Sequence, residues 1–152
     1  MKKLLSFLFI AALIASCGGD KGSTSDNKKP TVVKPKTDKG IGETKSVALN
    51  DPLDEGMIEN GKAIYQLKCA ACHKLSGKRV VGPGWEGLSK KRKPEWIMNM
   101  ITNVDVMLDK DPTAQKLLEE CLTRMPNQNV SVDEARDILE FILKNDLDRG
   151  VQ

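Results

Sequence analysis

Five consecutive residues, Cys69-Ala70-Ala71-Cys72-His73, bring together side chains able to do covalent and metal chemistry. Two thiols separated by two residues can add across the two vinyl groups along one edge of a porphyrin. A histidine directly after them can swing beneath the ring and bind iron. This is the attachment pattern of a c-type haem. Three other readings compete for the same residues. A thioredoxin-like redox pair opens a helix in a βαβ pattern, but here the cysteines follow a helical stretch. A closed zinc site wants four Cys or His ligands, and the chain has one histidine and one further cysteine in its globular part. A structural disulfide leaves His73 without a role.

The residues around the motif resemble those of monohaem class I cytochromes c. In that family the motif closes the first helix. A glycine and an aromatic of that helix pack against an aromatic of the last helix, as Gly61, Tyr65 and Phe141 would here. The family's Gly-Pro is matched by Gly82-Pro83, and the resemblance implies that the Pro83 carbonyl accepts a hydrogen bond from the proximal His73 and fixes its ring. Trp85 and Leu88 stand where the family places apolar haem contacts. The resemblance covers about residues 51–145 and implies an all-α fold, about four helices around one covalent haem.

The second iron ligand follows partly by counting. With one histidine in the chain, bis-histidine ligation within it is excluded, and methionine is the remaining ordinary ligand. Of the six methionines, Met1 would leave with the signal and Met57 precedes the motif. Met98 and Met100 fall inside an expected helix, and Met107 in a short connection. Met125-Pro126 lies in a loop before the last helix, where the family often carries its axial methionine. The expected metal ligands are therefore His73 and Met125, with Met107 as rival and gap-filling in the core as the ordinary use of either. Cys121 is left without a partner. It falls on an apolar helix stripe, which points to a buried thiol, with an intermolecular disulfide as the alternative.

The elements that must position these groups read as helices. Asp51-Pro52 and Asp54 offer start signals for the first. Gly77 to Gly87 is a loop by composition. Pro94 suits a first helical turn, followed by Trp96, Ile97, Met100, Ile101 and Val104 at helical spacing. Asp111-Pro112 opens another helix carrying Ala114, Leu117, Leu118, Cys121 and Leu122. Ser131-Val132-Asp133-Glu134 forms a capping box ahead of Ala135, Ile138, Leu139, Ile142 and Leu143. Aromatics make up only 4% of the 152 residues, so a buried haem would supply apolar mass that the chain lacks.

The N-terminus reads as a targeting segment. Lys2 and Lys3 precede an apolar run from Leu4 to Ile14, broken by Ser6, too short for a permanent span and suited to a signal peptide. Ile14-Ala15-Ser16-Cys17 resembles the lipobox of bacterial lipoproteins. That resemblance implies a signal over 1–16, lipid on Cys17 and export to the cell envelope, facing the periplasm or at the outer membrane, which Gly18 favours. Residues 17–50 read as the lipidated cysteine and a flexible tether, polar, Gly/Ser/Pro-containing and basic. The cytochrome c domain is expected over 51–150.

Charge is unevenly spread. Residues 62–93 carry nine Lys or Arg against one acid, whereas 94–152 carry six basic and twelve acidic residues. Lys74, Lys78, Arg79 and Lys90 to Lys93 lie close in sequence to the motif. A basic ring there would steer redox partner proteins with an acidic docking face. Nucleic acid is an implausible partner for an exported lipoprotein. The expectation is a single-electron carrier without enzymatic activity or a small-molecule substrate, serving a respiratory chain, such as a donor to a terminal reductase of denitrification. The alternative is a haem-based ligand sensor or small peroxidase with a labile methionine ligand.

Overall fold

A computed structural model describes residues 38–151. The expected signal peptide, Cys17 and the first part of the expected tether lie outside the described residues. The helices are α1 (Glu55–Ile64), a π-helical turn (Tyr65–Cys69), α2 (Leu88–Lys91), α3 (Pro94–Thr102), α4 (Val104–Lys110), α5 (Pro112–Cys121) and α6 (Val132–Asp148). Among the described residues there is no strand, only an isolated bridge between His73 and Arg79. No helix among them is long and apolar enough to cross a membrane. The all-α expectation holds, with more and shorter helices than the spacing of apolar residues implied.

Local chemistry explains where the helices start. The Asp54 carboxylate accepts the Met57 N–H at 2.8 Å and caps α1. Asp111 does the same for Ala114 at 2.9 Å and caps α5. Ser131 and Glu134 complete the capping box of α6, Glu134 N–H to Ser131 Oγ at 3.1 Å and Ser131 N–H to Glu134 Oε2 at 2.8 Å. Pro94 occupies the first turn of α3, where its missing N–H costs nothing. Asn103 takes a non-helical conformation that ends α3, and α4 starts directly after it, where a short connection was expected. Met107 consequently sits inside α4, not in a connection.

The core is built on α6. Its fully buried stripe of Ala135, Ile138, Leu139 and Ile142 packs against α1 and α3. Gly61 is the crossing point of α1 on α6, and the two backbones touch there. Buried Trp96, Ile97, Met98 and Ile101 of α3 and Val104, Met107 and Leu108 of α4 complete the apolar cluster.

The domain begins earlier than composition indicated. Residues 38–50, expected as flexible tether, form a strap across α3, α4 and α6. The Asn99 side chain, 1% exposed, donates to the carbonyls of Lys39 and Thr44 at 2.9 Å and accepts the Thr44 N–H at 3.1 Å. Asn103 donates to the Ile41 carbonyl, and the Ile41 N–H reaches Met107 Sδ at 3.0 Å. Arg136 donates to the Ala48 carbonyl. The strap is held mainly through its own backbone groups, so its side-chain polarity gave no sign of docking.

Candidate functional site

The helices surround an apolar cavity of about 570 Å³. One wall carries Cys72, His73, Pro83 and Trp85. Another carries Met100 of α3 and Leu117, Leu118 and Cys121 of α5, and the loop after α5 adds Met125 and Pro126.

His73 is tightly specified. Its Nδ1 lies 2.9 Å from the Pro83 carbonyl. A carbonyl only accepts, so Nδ1 carries the proton and Nε2 keeps its lone pair for a metal. Burial pushes the imidazole pKa down, against the opposing bond to Pro83, which favours the neutral ligand form. Tyr65 donates from its hydroxyl to the His73 carbonyl at 2.8 Å. Trp85, 7% exposed, has its ring centroid 5.6 Å from that of His73 and 4.9 Å from that of Tyr65, and Tyr65 lies 5.5 Å from Phe141. Gly82 is required by the close approach of the imidazole, because a Cβ there would fall 2.3 Å from His73 Cε1.

The two motif cysteines are brought beside this histidine by a tight turn. The N–H groups of Cys72 and His73 both donate to the Cys69 carbonyl, at 3.1 and 2.9 Å. Cys69 is buried, and burial pushes its thiol pKa up to about 11. Cys69, Cys72 and Cys121 are all free thiols.

In the loop after α5, Met125 is half-buried against the core and lines the same cavity. Its loop is tied down by Arg124, which donates to Asp109 Oδ1 at 2.9 Å and to the Asp105 carbonyl at 3.3 Å. Leu122, in a left-handed conformation with φ of 55°, ends α5 and turns the chain into that loop. Met107 does not reach the cavity. It is fully buried in α4, and its sulfur is engaged by the strap. Met100 does border the cavity, from within α3. Cys121, expected as a core thiol, lies half-buried at the end of α5 on the cavity wall. Helical phase alone could not separate a residue facing the core from one facing this space.

The basic residues divide. Lys91, Arg92 and Arg124 stand on the cavity wall, and the Arg92 guanidinium lies 5.2 Å from the Trp96 ring centroid. Lys90 to Lys93 border an adjoining open groove of about 630 Å³. Arg79 is engaged by Glu120, donating to its carbonyl at 2.7 Å, and Lys93 pairs with Asp38 at 2.9 Å.

An imidazole with its Nε2 lone pair free, a thioether (Met125) and a thiol (Cys72) on the same apolar cavity, and a second thiol, buried Cys69, one turn before the histidine fit a covalently attached haem. A family model described as Cytochrome c matches residues 58–146. A curated relative from Synechocystis, described as Cytochrome c-553-like, is 31% identical over 49 residues, which is 32% of this chain and 47% of the relative. The chain thus spans about half the length of that relative. Cytochrome c from Rhodothermus marinus superposes with a TM-score of 0.68 at 31% identity, covering 70% of this chain and 91% of the other. An engineered form of the same Rhodothermus protein gives a TM-score of 0.67 at 30% identity, with the same coverage.

Proposed function

Because this chain belongs to the cytochrome c family, we propose that it carries single electrons through one c-type haem bound by Cys69 and Cys72, with His73 and Met125 as axial ligands. Bound there, the haem supplies an iron that alternates between ferric and ferrous states and so stores one electron. The observation that carries the reading is the meeting of His73, preset by the Pro83 carbonyl, and Met125 on the walls of one apolar cavity.

The residues divide the work. The thiols of Cys69 and Cys72 would form the thioether bonds. His73 would bind through Nε2, and its bond to Pro83 raises the electron-donating power of the ring. Met125 would supply a thioether as the second iron ligand, which favours a relatively high potential. Trp85 packs against His73 and excludes water. Two protein ligands on one iron would leave no open position for a substrate, which supports a carrier and not an enzyme. Lys91 and Arg92 at the cavity wall would steer a redox partner with an acidic docking face, such as a terminal reductase of denitrification. Lipid on Cys17 would hold the protein at the bacterial envelope, since more than one acyl chain gives stable attachment.

The deciding experiment is spectroscopic. The haem-loaded protein should show the Met-to-iron charge-transfer band typical of the family and bind carbon monoxide slowly. Rapid carbon monoxide binding without that band would favour a ligand sensor or small peroxidase instead. Replacing both Cys69 and Cys72 by alanine should abolish haem that survives a denaturing gel. A Cys17→Ala protein should leave the membrane fraction or remain uncleaved, and membrane association after normal cleavage would refute the lipid anchor.

A further inference from the structure

The Pro83 carbonyl that fixes His73 belongs to an irregular loop between Leu75 and Gly87, and something must hold that loop in place. Two adjacent residues near the end of α6 hold its two roots. Asn145, 8% exposed, donates from Nδ2 to the Leu75 carbonyl at 3.1 Å. Asp146, 2% exposed, takes the other root with both oxygens. Its Oδ1 accepts the Gly87 N–H at 2.7 Å, and its Oδ2 accepts the Ser89 N–H at 2.9 Å and the Ser89 hydroxyl at 2.7 Å.

We propose that Asn145 and Asp146 are positioning residues, a clamp on α6 that keeps the Pro83 carbonyl on the His73 imidazole and so tunes the iron ligand. The proposal rests on the haem reading above. Three features favour it over simple helix anchoring. A buried carboxylate is costly to desolvate, and here all three donors that offset the cost come from Gly87 and Ser89. Its two oxygens fix two N–H groups two residues apart, a spacing that a neutral single-atom acceptor could not set. Its neighbour in sequence holds the opposite root, so a displacement of α6 moves both ends of the loop together.

Between the clamped roots the loop is also tied at Arg79, which bridges to His73 and donates to the Glu120 carbonyl at 2.7 Å, and by the Val80 N–H on the Gly82 carbonyl at 3.2 Å. The Trp85 N–H donates to the Lys74 carbonyl at 2.8 Å and the Gly82 N–H to the Cys72 carbonyl at 3.0 Å. Glu86 accepts the Gly77 N–H at the exposed edge. Pro83 has no N–H of its own, so its carbonyl direction is set by these neighbours and by the roots. A loosened root lets the carbonyl drift from Nδ1, the imidazole loses donor strength, ferric iron is less stabilised and the reduction potential rises.

The test uses the reduced, haem-loaded protein and three variants, Ser89→Ala, Asp146→Asn and Asn145→Ala. Solvent exchange of the His73 Nδ1 proton and of the Gly87 and Ser89 amides is followed by NMR, beside the midpoint potential. Each variant should speed exchange at His73 Nδ1 by about tenfold or more, equivalent to about 1.4 kcal/mol of local stability, and raise the potential. Ser89→Ala changes no charge, so a rise there cannot come from the loss of an anion. A raised potential in Asp146→Asn with His73 exchange unchanged in all three would reduce Asp146 to a remote charge and overturn the clamp. A lowered melting temperature with exchange and potential unchanged would leave only a structural anchor and also overturn it. If His73→Ala leaves the haem spectrum unaltered, the ligand assignment fails, an outcome separate from either of these.

Discussion

The backbone oxygen of Asp137 lies 2.1 Å from the position that a Cβ on Gly61 would take. Helices α1 and α6 therefore meet backbone to backbone at this point, and the absent side chain is what lets Tyr65, one turn further on, reach Phe141. Glycine inside a helix costs about 1 kcal/mol relative to alanine. In Gly61→Ala that gain is outweighed by forcing the helices apart, an overpacking cost of about 1–3 kcal/mol. Thermal denaturation of the haem-loaded protein should show a lower melting temperature, and an unchanged or higher one would mean that the crossing is looser than described.

Met107 and Met125 should separate cleanly. Met125→Ala opens one side of the cavity, so the Met-to-iron band should vanish and the potential should fall, with haem still attached through the cysteines. Met107→Ala should keep the band and lose stability, by about 2–5 kcal/mol for a fully buried side chain cut to Ala. If Met107→Ala loses the band while Met125→Ala keeps it, the ligand assignment is reversed. If neither loses it, Met100, which also borders the cavity, becomes the candidate.

Asn99→Ala removes three hydrogen bonds between α3 and the strap. At about 1 kcal/mol each the loss should be about 2–3 kcal/mol. Amide exchange should rise chiefly between residues 39 and 47, and the haem spectrum should not change. Exchange spread evenly over the domain would show that the strap is not a separate unit.

Glu140 is fully buried in α6. Burial pushes its pKa up, but the Asp54 N–H, the Arg136 guanidinium and the Asn50 amide outweigh this, and the net shift is downward from 4.5. A lowered folded-state pKa contributes stability that is present above the unfolded value and is lost as pH falls through the folded one. The protein should therefore lose stability below about pH 4.5. Glu140→Gln should cost about 1–3 kcal/mol near neutrality and flatten that acid dependence. An equally steep acid loss in the variant would assign it to other carboxylates.

What could be read from the sequence was chemistry held in short stretches. Cys69-x-x-Cys72-His73, Gly82-Pro83, the Ser131–Glu134 box and the pair Gly61 and Tyr65 each announce a geometry within a few residues, and the structure places the Pro83 carbonyl on His73, closes the box and brings Gly61 and Tyr65 onto α6. Polar contacts between distant segments were not legible. Asn99, Glu140, Asn145 and Asp146 look like surface residues by type, yet each is buried because its partners come from segments far away in sequence. The strap was missed for the same reason, since Lys39, Ile41 and Thr44 bind through backbone groups. Met107 was misplaced because the Asn103 break that starts α4 has no strong sequence signal.

The π-helical turn at Tyr65–Cys69, closed by the Ala70 N–H on the Tyr65 carbonyl at 2.9 Å, makes the first helix a counting device. It holds one residue more than regular winding would place between the α6 crossing and the haem motif. Wound as α-helix, that surplus would rotate everything after it by about 100° and carry Cys72 and His73 off the cavity wall. The wide turn absorbs the surplus in place, so that Gly61 and Cys69 both face inward. Deleting Leu67, which is 83% exposed, should therefore let the turn become regular with haem attachment preserved. Inserting one residue there would leave no slack to take it up, and attachment should fail.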